Sequence, residues 1–226
     1  MGTRQEMSKY TYRDETGFSK FLVVLIVLSA LLNSVAVGSS VMLYDMLVAV
    51  QKGAEVTDEV ANAHDARQLV IGLVQLAAAI FIGIIFLMWV YRMCRNAHSI
   101  ENAKLDITPG WAVGWYFVPV ANLWKPYQAM KEAYEAFINR ENDSMILPLW
   151  WFAWIVASIM ARVSTRFAAE TDTLDQIMTG VQVTIVTDVI AVFLDVAAIL
   201  MVVTVSRACN ERFAVDHFEA ATEDWE

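Results

Sequence analysis

Two carboxylates interrupt one of the most apolar stretches of this chain. Asp188 and Asp195 stand seven residues apart within the run Val183 to Ser206, so on a helix they project from one side, about 10.5 Å apart along the axis. Ala191 and Ala198 share that side, which marks it as the closely packed, inward face. An ionised Asp at mid-bilayer costs about 2.5–3.5 kcal/mol on insertion scales, so such a group pairs, loses its charge or lines a polar cavity. Counted from the same boundary, Asn33 lies twelve residues into the first apolar run and Asp195 twelve into the last, which lets the two meet near mid-membrane. Gln75 and Ser158 are further polar candidates, and Arg162 is placed to pair with Asp188 near the opposite boundary. The chemistry open to such a set is proton or cation handling by Asp195 and Asp188. The structural reading is a hydrogen-bonded clamp between the first and fourth helices, closed at its outer end by Asp188 and Arg162. We favour the clamp, because transport also needs a path, for which four helices leave little room unless the protein oligomerises.

Other chemistry is poorly provided for. His64, His98 and His217 fall in separate regions, so no two are placed to share a metal or activate a nucleophile, and no zinc-protease, nucleophile-elbow, P-loop or dinucleotide fingerprint occurs. Glu101, Asp106 and His98 can gather with Arg92 and Arg95, where a solvated, headgroup-contacting rim is the expected role. Cys94 and Cys209, each two residues past an Arg, lack nearby His and make no zinc site. Small interfacial residues are the expected reading, with a redox-sensing pair as the alternative. We expect no catalytic residue, metal or cofactor.

The elements that must hold these residues follow from charge spacing. The chain of 226 residues is 58% apolar and 18% charged with a mean hydropathy of +0.46; soluble domains are about half apolar and a quarter charged. Its net charge of −9, without any basic run, argues against nucleic acid as a partner. Hydrocarbon about 30 Å thick needs roughly 20 apolar residues. Residues 21–44 and 68–91 are each free of charge for 24 positions, and 144–161 for 18. Pro148 suits the first turn of that third helix, where its missing N–H costs nothing. The sequence therefore predicts an all-α membrane protein with four transmembrane helices at about 21–44, 68–91, 144–164 and 183–206.

Ile107 to Trp124 is apolar as well, but Pro109, Gly110, Gly114 and Pro119 would break a spanning helix and strand backbone groups in lipid. Trp111, Trp115, Tyr116 and Trp124 belong at headgroup level. We read this window as interfacial or shallowly re-entrant. Beyond Lys125 and Pro126, the pattern of Met130, Tyr134 and Phe137 against Lys131, Glu132 and Glu135 predicts an amphipathic helix on the membrane surface or the bundle end. The interfacial segment thus covers 107–140, between helices two and three.

Flanking charges set an orientation. Arg4, Lys9, Arg13 and Lys20, then Arg92, Arg95, Lys104, Lys125, Lys131 and Arg140, then Arg207 and Arg212 fall on one side, 12 in all. Lys52, Arg67, Arg162 and Arg166 make 4 on the other. Residues 1–20 and 207–226 are therefore expected to be cytoplasmic. Ser34-Val35-Ala36 mimics a signal cleavage site, but the apolar run is too long and continues past it, so no cleavage is expected. Thr57 ahead of two acids reads as a helix N-cap, and residues 163–180 repeat the idea with Thr171-Asp172 and a closing Gly180. The acidic tail from Asp216 has no apolar face and is expected to fray.

The stretch from Trp89 to Gln128 carries a recognisable pattern. It includes Trp89, Tyr91, Arg92 and Asn96, then Pro109, Trp111, Pro119, Asn122, Lys125 and Pro126, with Trp150-Trp151 further on. It resembles a family of bacterial multi-helix membrane proteins described as domain of unknown function 4328, over about residues 20–206. The resemblance implies a bacterial inner-membrane protein with about four helices and implies no activity. Where the family pattern has Arg, this chain has Lys125. That change is conservative if the position needs only a cation, and less so if it must grip phosphate bidentately.

These readings lead to a bacterial inner-membrane structural, accessory or regulatory module whose Trp-rich segment meets lipid headgroups or a protein partner. Its expected partners are the bilayer and a membrane protein or second copy. A proton- or cation-coupled channel or transporter using Asp195 and Asp188 is the alternative. An interfacial lipid-modifying enzyme would require a polar cavity beside Arg92, Asn96 and His98.

Overall fold

The computed structural model describes residues 10–101, 103, 105–139, 144–167 and 172–223, with side chains as far as 215. Readings made for Arg4, Lys9, Lys104, Arg140, Thr171 and the side chains of the acidic tail lie outside the described residues. Among those described are six α-helices and no strand: α1 (Thr16–Gln51), α2 (Asp58–Ala97), α3 (Pro109–Gly114), α4 (Lys125–Ile138), α5 (Ile146–Phe167) and α6 (Leu174–Glu223). α1, α2, α5 and α6 are long and apolar enough to cross a membrane; α1, α2 and α5 each contain one charge-free window, and α6 carries the apolar run that Asp188 and Asp195 interrupt.

Local chemistry sets where these helices start and stop. Asp14 Oδ1 accepts the Thr16 N–H at 2.9 Å and its hydroxyl at 2.6 Å at the head of α1. Gly53 closes that helix at φ 92°, while the Ala54 N–H reaches back to the Ala49 carbonyl, an ending that suits the one residue without a Cβ. Thr57 Oγ1 accepts the Val60 N–H at 3.4 Å, and Asp58 and Glu59 complement the positive end of the α2 dipole. Thr173 and Gln176 form a reciprocal capping box at the start of α6.

That box corrects one expectation: Gly180 lies inside α6 and closes nothing. A second correction concerns the tail, which continues α6 as helix to Glu223. Once a helix is nucleated, each added residue gains a hydrogen bond, and the Ala, Glu and Arg residues beyond 206 are good helix formers. At 1.5 Å per residue, α6 is about 75 Å long, far more than hydrocarbon requires.

The outward surfaces show what surrounds these helices. α6 exposes Val186, Val189, Phe193, Val196, Leu200 and Val203, and α2 exposes Leu69, Leu73, Leu76, Ile80 and Ile84. Continuous apolar stripes at three- and four-residue spacing would be unstable in water and suit lipid.

Packing divides the chain into two compact units. The first comprises residues 1–24, 83–149 and 199–226. Here the Trp/Pro-rich segment is short α3, two single 3₁₀ turns at Trp115–Phe117 and Ala121–Leu123, and then α4. Pro109 and Pro126 stand in the first turns of α3 and α4, where no N–H is needed. Between the two 3₁₀ turns, Val120 adopts φ 69°, ψ −56°, and the Ala121 N–H bonds the Pro119 carbonyl at 2.8 Å. This is a γ-turn of the strained, positive-φ kind. α4 buries Ala129, Met130, Ala133, Tyr134 and Phe137 on one face. From that helix, Glu132 accepts the N–H groups of Asp106 and Ile107 at 3.1 and 3.2 Å, fixing the approach to α3. The second unit comprises residues 25–82 and 150–198, drawn from α1, α2, α5 and α6.

Candidate functional site

In the second unit the two carboxylates of α6 are joined by two carboxamides. Asn33 Nδ2, from α1, donates to Asp195 Oδ2 at 2.9 Å. Gln75 Nε2, from α2, donates to Asn33 Oδ1 at 3.0 Å and to Asp188 Oδ1 at 3.2 Å. The result is an unbroken chain, Asp188–Gln75–Asn33–Asp195, in which the bridging amides use their donors on carboxylate or amide oxygens of other helices. Ser29 also interacts with the Asp195 carboxylate. It stands one turn before Asn33, and that four-residue spacing is the signal by which the sequence could have revealed it.

Two expected members are absent from this network. Arg162 is exposed on α5 and makes no ion pair with Asp188. A guanidinium near a helix end reaches water at lower cost than it can be buried, and Gln75 satisfies Asp188 instead. Ser158 is half-buried, and its hydroxyl has no hydrogen bond among the described residues; a hydroxyl contact between α5 and α6 is Ser164 with Thr184, at 3.3 Å. A cavity of about 360 Å³ lies beside the network, its polar lining drawn from Ser40, Gln68, Gln75, Thr184 and Asp188. Near it, Arg67 Nε donates to Ser39 Oγ at 2.8 Å and its Nη2 meets His64 Nδ1 at 2.6 Å.

The first unit collects the residues of the Trp89 to Pro126 pattern. Trp89 is fully buried on α2, and its indole N–H reaches Ser19 Oγ at 3.0 Å and Ser206 Oγ at 3.3 Å, while the two hydroxyls bond each other at 2.9 Å. Arg92 and Arg95 both pair with Glu15, at 2.5 and 3.2 Å, and Arg92 lies 4.0 Å over the Phe18 ring. Glu15 is 5% exposed, and the sequence reading missed it because it sits in a basic stretch. Its visible signal is an acid at the start of an apolar run. Asn96 is fully buried and bonds the backbone of Arg13, with Cys209 Sγ 3.7 Å from its Nδ2.

Tyr91 and Trp111 are exposed, and Pro119 leads into the γ-turn. Asn122 keeps a buried Oδ1 without a hydrogen-bond partner among the described residues. Lys125 Nζ donates to Gln128 at 3.0 Å and lies 6.0 Å from the Trp115 ring centre. Cys94 and Cys209 are buried free thiols. His98 Nδ1 lies 2.8 Å from the Cys94 carbonyl oxygen, and the Asp106 backbone is held by Glu132, so these residues are engaged separately. Among the described residues no three His, Cys, Asp or Glu side chains are grouped to hold a metal. Outside the spans, hydrogen bonds from Thr16 hold the Asp14 carboxyl below the usual carboxylate range, and burial raises the phenols of Tyr12 and Tyr116.

Four long apolar helices with a short helical and 3₁₀ segment between the second and third define an all-α membrane protein. Residues 52–207 match the model of the family described as Domain of unknown function (DUF4328), more than half of the chain, and the protein belongs to that family. No curated protein and no solved structure matches it.

Proposed function

We propose that this protein is a non-enzymatic accessory or regulatory module of the bacterial inner membrane, with both termini cytoplasmic. In this reading the Asp188–Gln75–Asn33–Asp195 chain is the fastener that holds its helices. The Trp/Pro-rich segment and α4 form the working surface toward lipid headgroups or a membrane-protein partner. The carrying observation is that Gln75 Nε2 bonds both Asn33 and Asp188. A carboxamide N–H donates a hydrogen bond but does not surrender its proton at neutral pH, so two amides in series make a poor proton wire and a good clamp. Twelve basic residues on the proposed cytoplasmic side against four opposite support the orientation.

One observation favours a second reading, a proton- or cation-coupled channel or transporter. The 360 Å³ cavity reaches Asp188 and has room and polar partners for water. Asp195→Asn separates the two, since it keeps the shape and removes the charge. For the clamp, D195N assembles, Asn33→Leu and Gln75→Leu lower the melting temperature in detergent, and wild-type proteoliposomes show no proton or cation flux above empty vesicles. Wild-type flux that D195N abolishes without loss of assembly overturns the clamp in favour of transport.

A further inference from the structure

The first unit holds a second cavity, of about 740 Å³, a size within the roughly 300–1,000 Å³ range of ligand pockets. One wall is a single face of α2 on which Ile84, Leu87 and Met88 lead to Tyr91, Arg92 and Arg95 at three- and four-residue spacing. From Ile84 to Arg95 that face rises about 16 Å, close to the roughly 15 Å depth of one leaflet's hydrocarbon. Its apolar part belongs to the spanning run and its basic part follows directly at the run's end, so the polarity gradient of the wall is that of a phospholipid.

The polar end has donors to spare. Arg13 lines the cavity, is exposed, and its guanidinium has no partner among the described residues. Arg92 gives Nη1 to Glu15 and stacks on Phe18, which fixes its plane, while no contact occupies Nη2 among the described residues. Arg95, also in the lining, has a buried Nε–H with no acceptor among the described residues. Of the two carboxylates present, Glu15 is committed to the arginines and Asp14 to Thr16. Three guanidinium groups facing two carboxylates leave one positive charge in excess, and planar guanidiniums bind phosphate oxygens in pairs.

We propose that this cavity binds a phosphate-bearing amphiphile, an anionic phospholipid with its headgroup against Arg13 and Arg92 and an acyl chain along Ile84, Leu87 and Met88. The inference deepens the membrane-module reading by giving it a ligand class, and it rests on that reading only for the presence of a bilayer.

The test uses the full chain, delipidated in an uncharged detergent. Native mass spectrometry and melting shifts compare phosphatidylglycerol, phosphatidylcholine of the same acyl chains, and inorganic phosphate. Phosphatidylglycerol is expected to bind at least several-fold more tightly than phosphatidylcholine, and inorganic phosphate is expected not to displace it. Arg13→Gln should weaken phosphatidylglycerol roughly fivefold while leaving the lipid-free melting temperature unchanged, because its guanidinium holds nothing among the described residues. Val113→Trp, which fills the cavity, should weaken both lipids. Should V113W not fold, R13Q decides alone. Equal affinity for the two lipids, displacement by inorganic phosphate, or an R13Q protein that binds like wild type overturns the proposal. None of these results depends on Asp195 or Gln75, so the lipid site can fail while the clamp stands.

Discussion

The carboxamide of Asn96 occupies both backbone groups of Arg13. Its Nδ2 donates to the Arg13 carbonyl at 2.8 Å, and its Oδ1 accepts the Arg13 N–H at 3.2 Å, across 83 positions of sequence. The segment that enters α1 has no sheet or helix of its own at that point, so a fully buried side chain on α2 does the work of a neighbouring strand.

Removing that side chain leaves an N–H and a carbonyl without partners. Asn96→Leu keeps the volume and loses both bonds, and should lower stability in detergent by about 2 kcal/mol or more. Tyr91→Phe, about one and a half turns away and exposed, should change it by less than about 0.5 kcal/mol. Chemical denaturation monitored by tryptophan fluorescence reads both, and an Asn96→Leu protein as stable as wild type would refute this role.

Glu15 is buried between Arg92 and Arg95. Glu15→Gln leaves a shielded guanidinium without its counter-charge, which costs about 2–4 kcal/mol for Arg95 and less for the more exposed Arg92. The double change E15Q/R95Q should cost less than the two single changes added together. Additive losses in a double-mutant cycle would show that the pair is not coupled.

Val120 holds a positive φ that a β-branched residue adopts only under strain. Its side chain is 67% exposed, so little burial is lost on truncation. Val120→Gly relieves about 1–2 kcal/mol of backbone strain and returns part of it as chain entropy. The melting temperature should therefore rise slightly; a fall would mean that the side chain has a role the packing does not reveal.

Asp14 yields a pH prediction of definite sign. Its carboxyl is held below the ordinary range by the Thr16 bonds, so the stabilisation is present above the unfolded-state pKa of about 3.9 and fades as pH falls through the lower folded value. The stability gap between wild type and Asp14→Asn should be constant at neutral pH and close in the acid limb below about pH 4. A gap that widens on acidification would contradict the assignment.

Three of the four long helices were legible because hydrocarbon excludes charge, so the gaps between charged residues mark the spans; the fourth was legible from its Val-, Ile- and Ala-rich run in spite of Asp188 and Asp195. The contact of Asn33 with Asp195 was legible for a related reason: equal depth from one boundary brings two polar groups together where neither can find water. Gln75 was a visible candidate, but its position between Asn33 and Asp188 depends on how α2 is rotated about its axis, which apolar counts do not reveal. Arg162 was misassigned because depth alone matched it to Asp188, whereas direction sends it outward. Glu15 was hidden because its partners lie 77 and 80 positions away. The overrun of α6 past Ser206 was missed for lack of an apolar signal, which a helix held by its own backbone does not need.

The triangle of Trp89, Ser19 and Ser206 contains nothing that titrates between acid and mildly alkaline conditions. High ionic strength reaches the part-exposed Arg92 side of the Glu15 pair and much less the buried Arg95 side, and it has no purchase on an indole bonded to two hydroxyls. The protein thus carries, on adjoining turns of one helix, a charged joint that burial largely shelters from its electrolyte and another that ignores it, so brine leaves the three helices stapled.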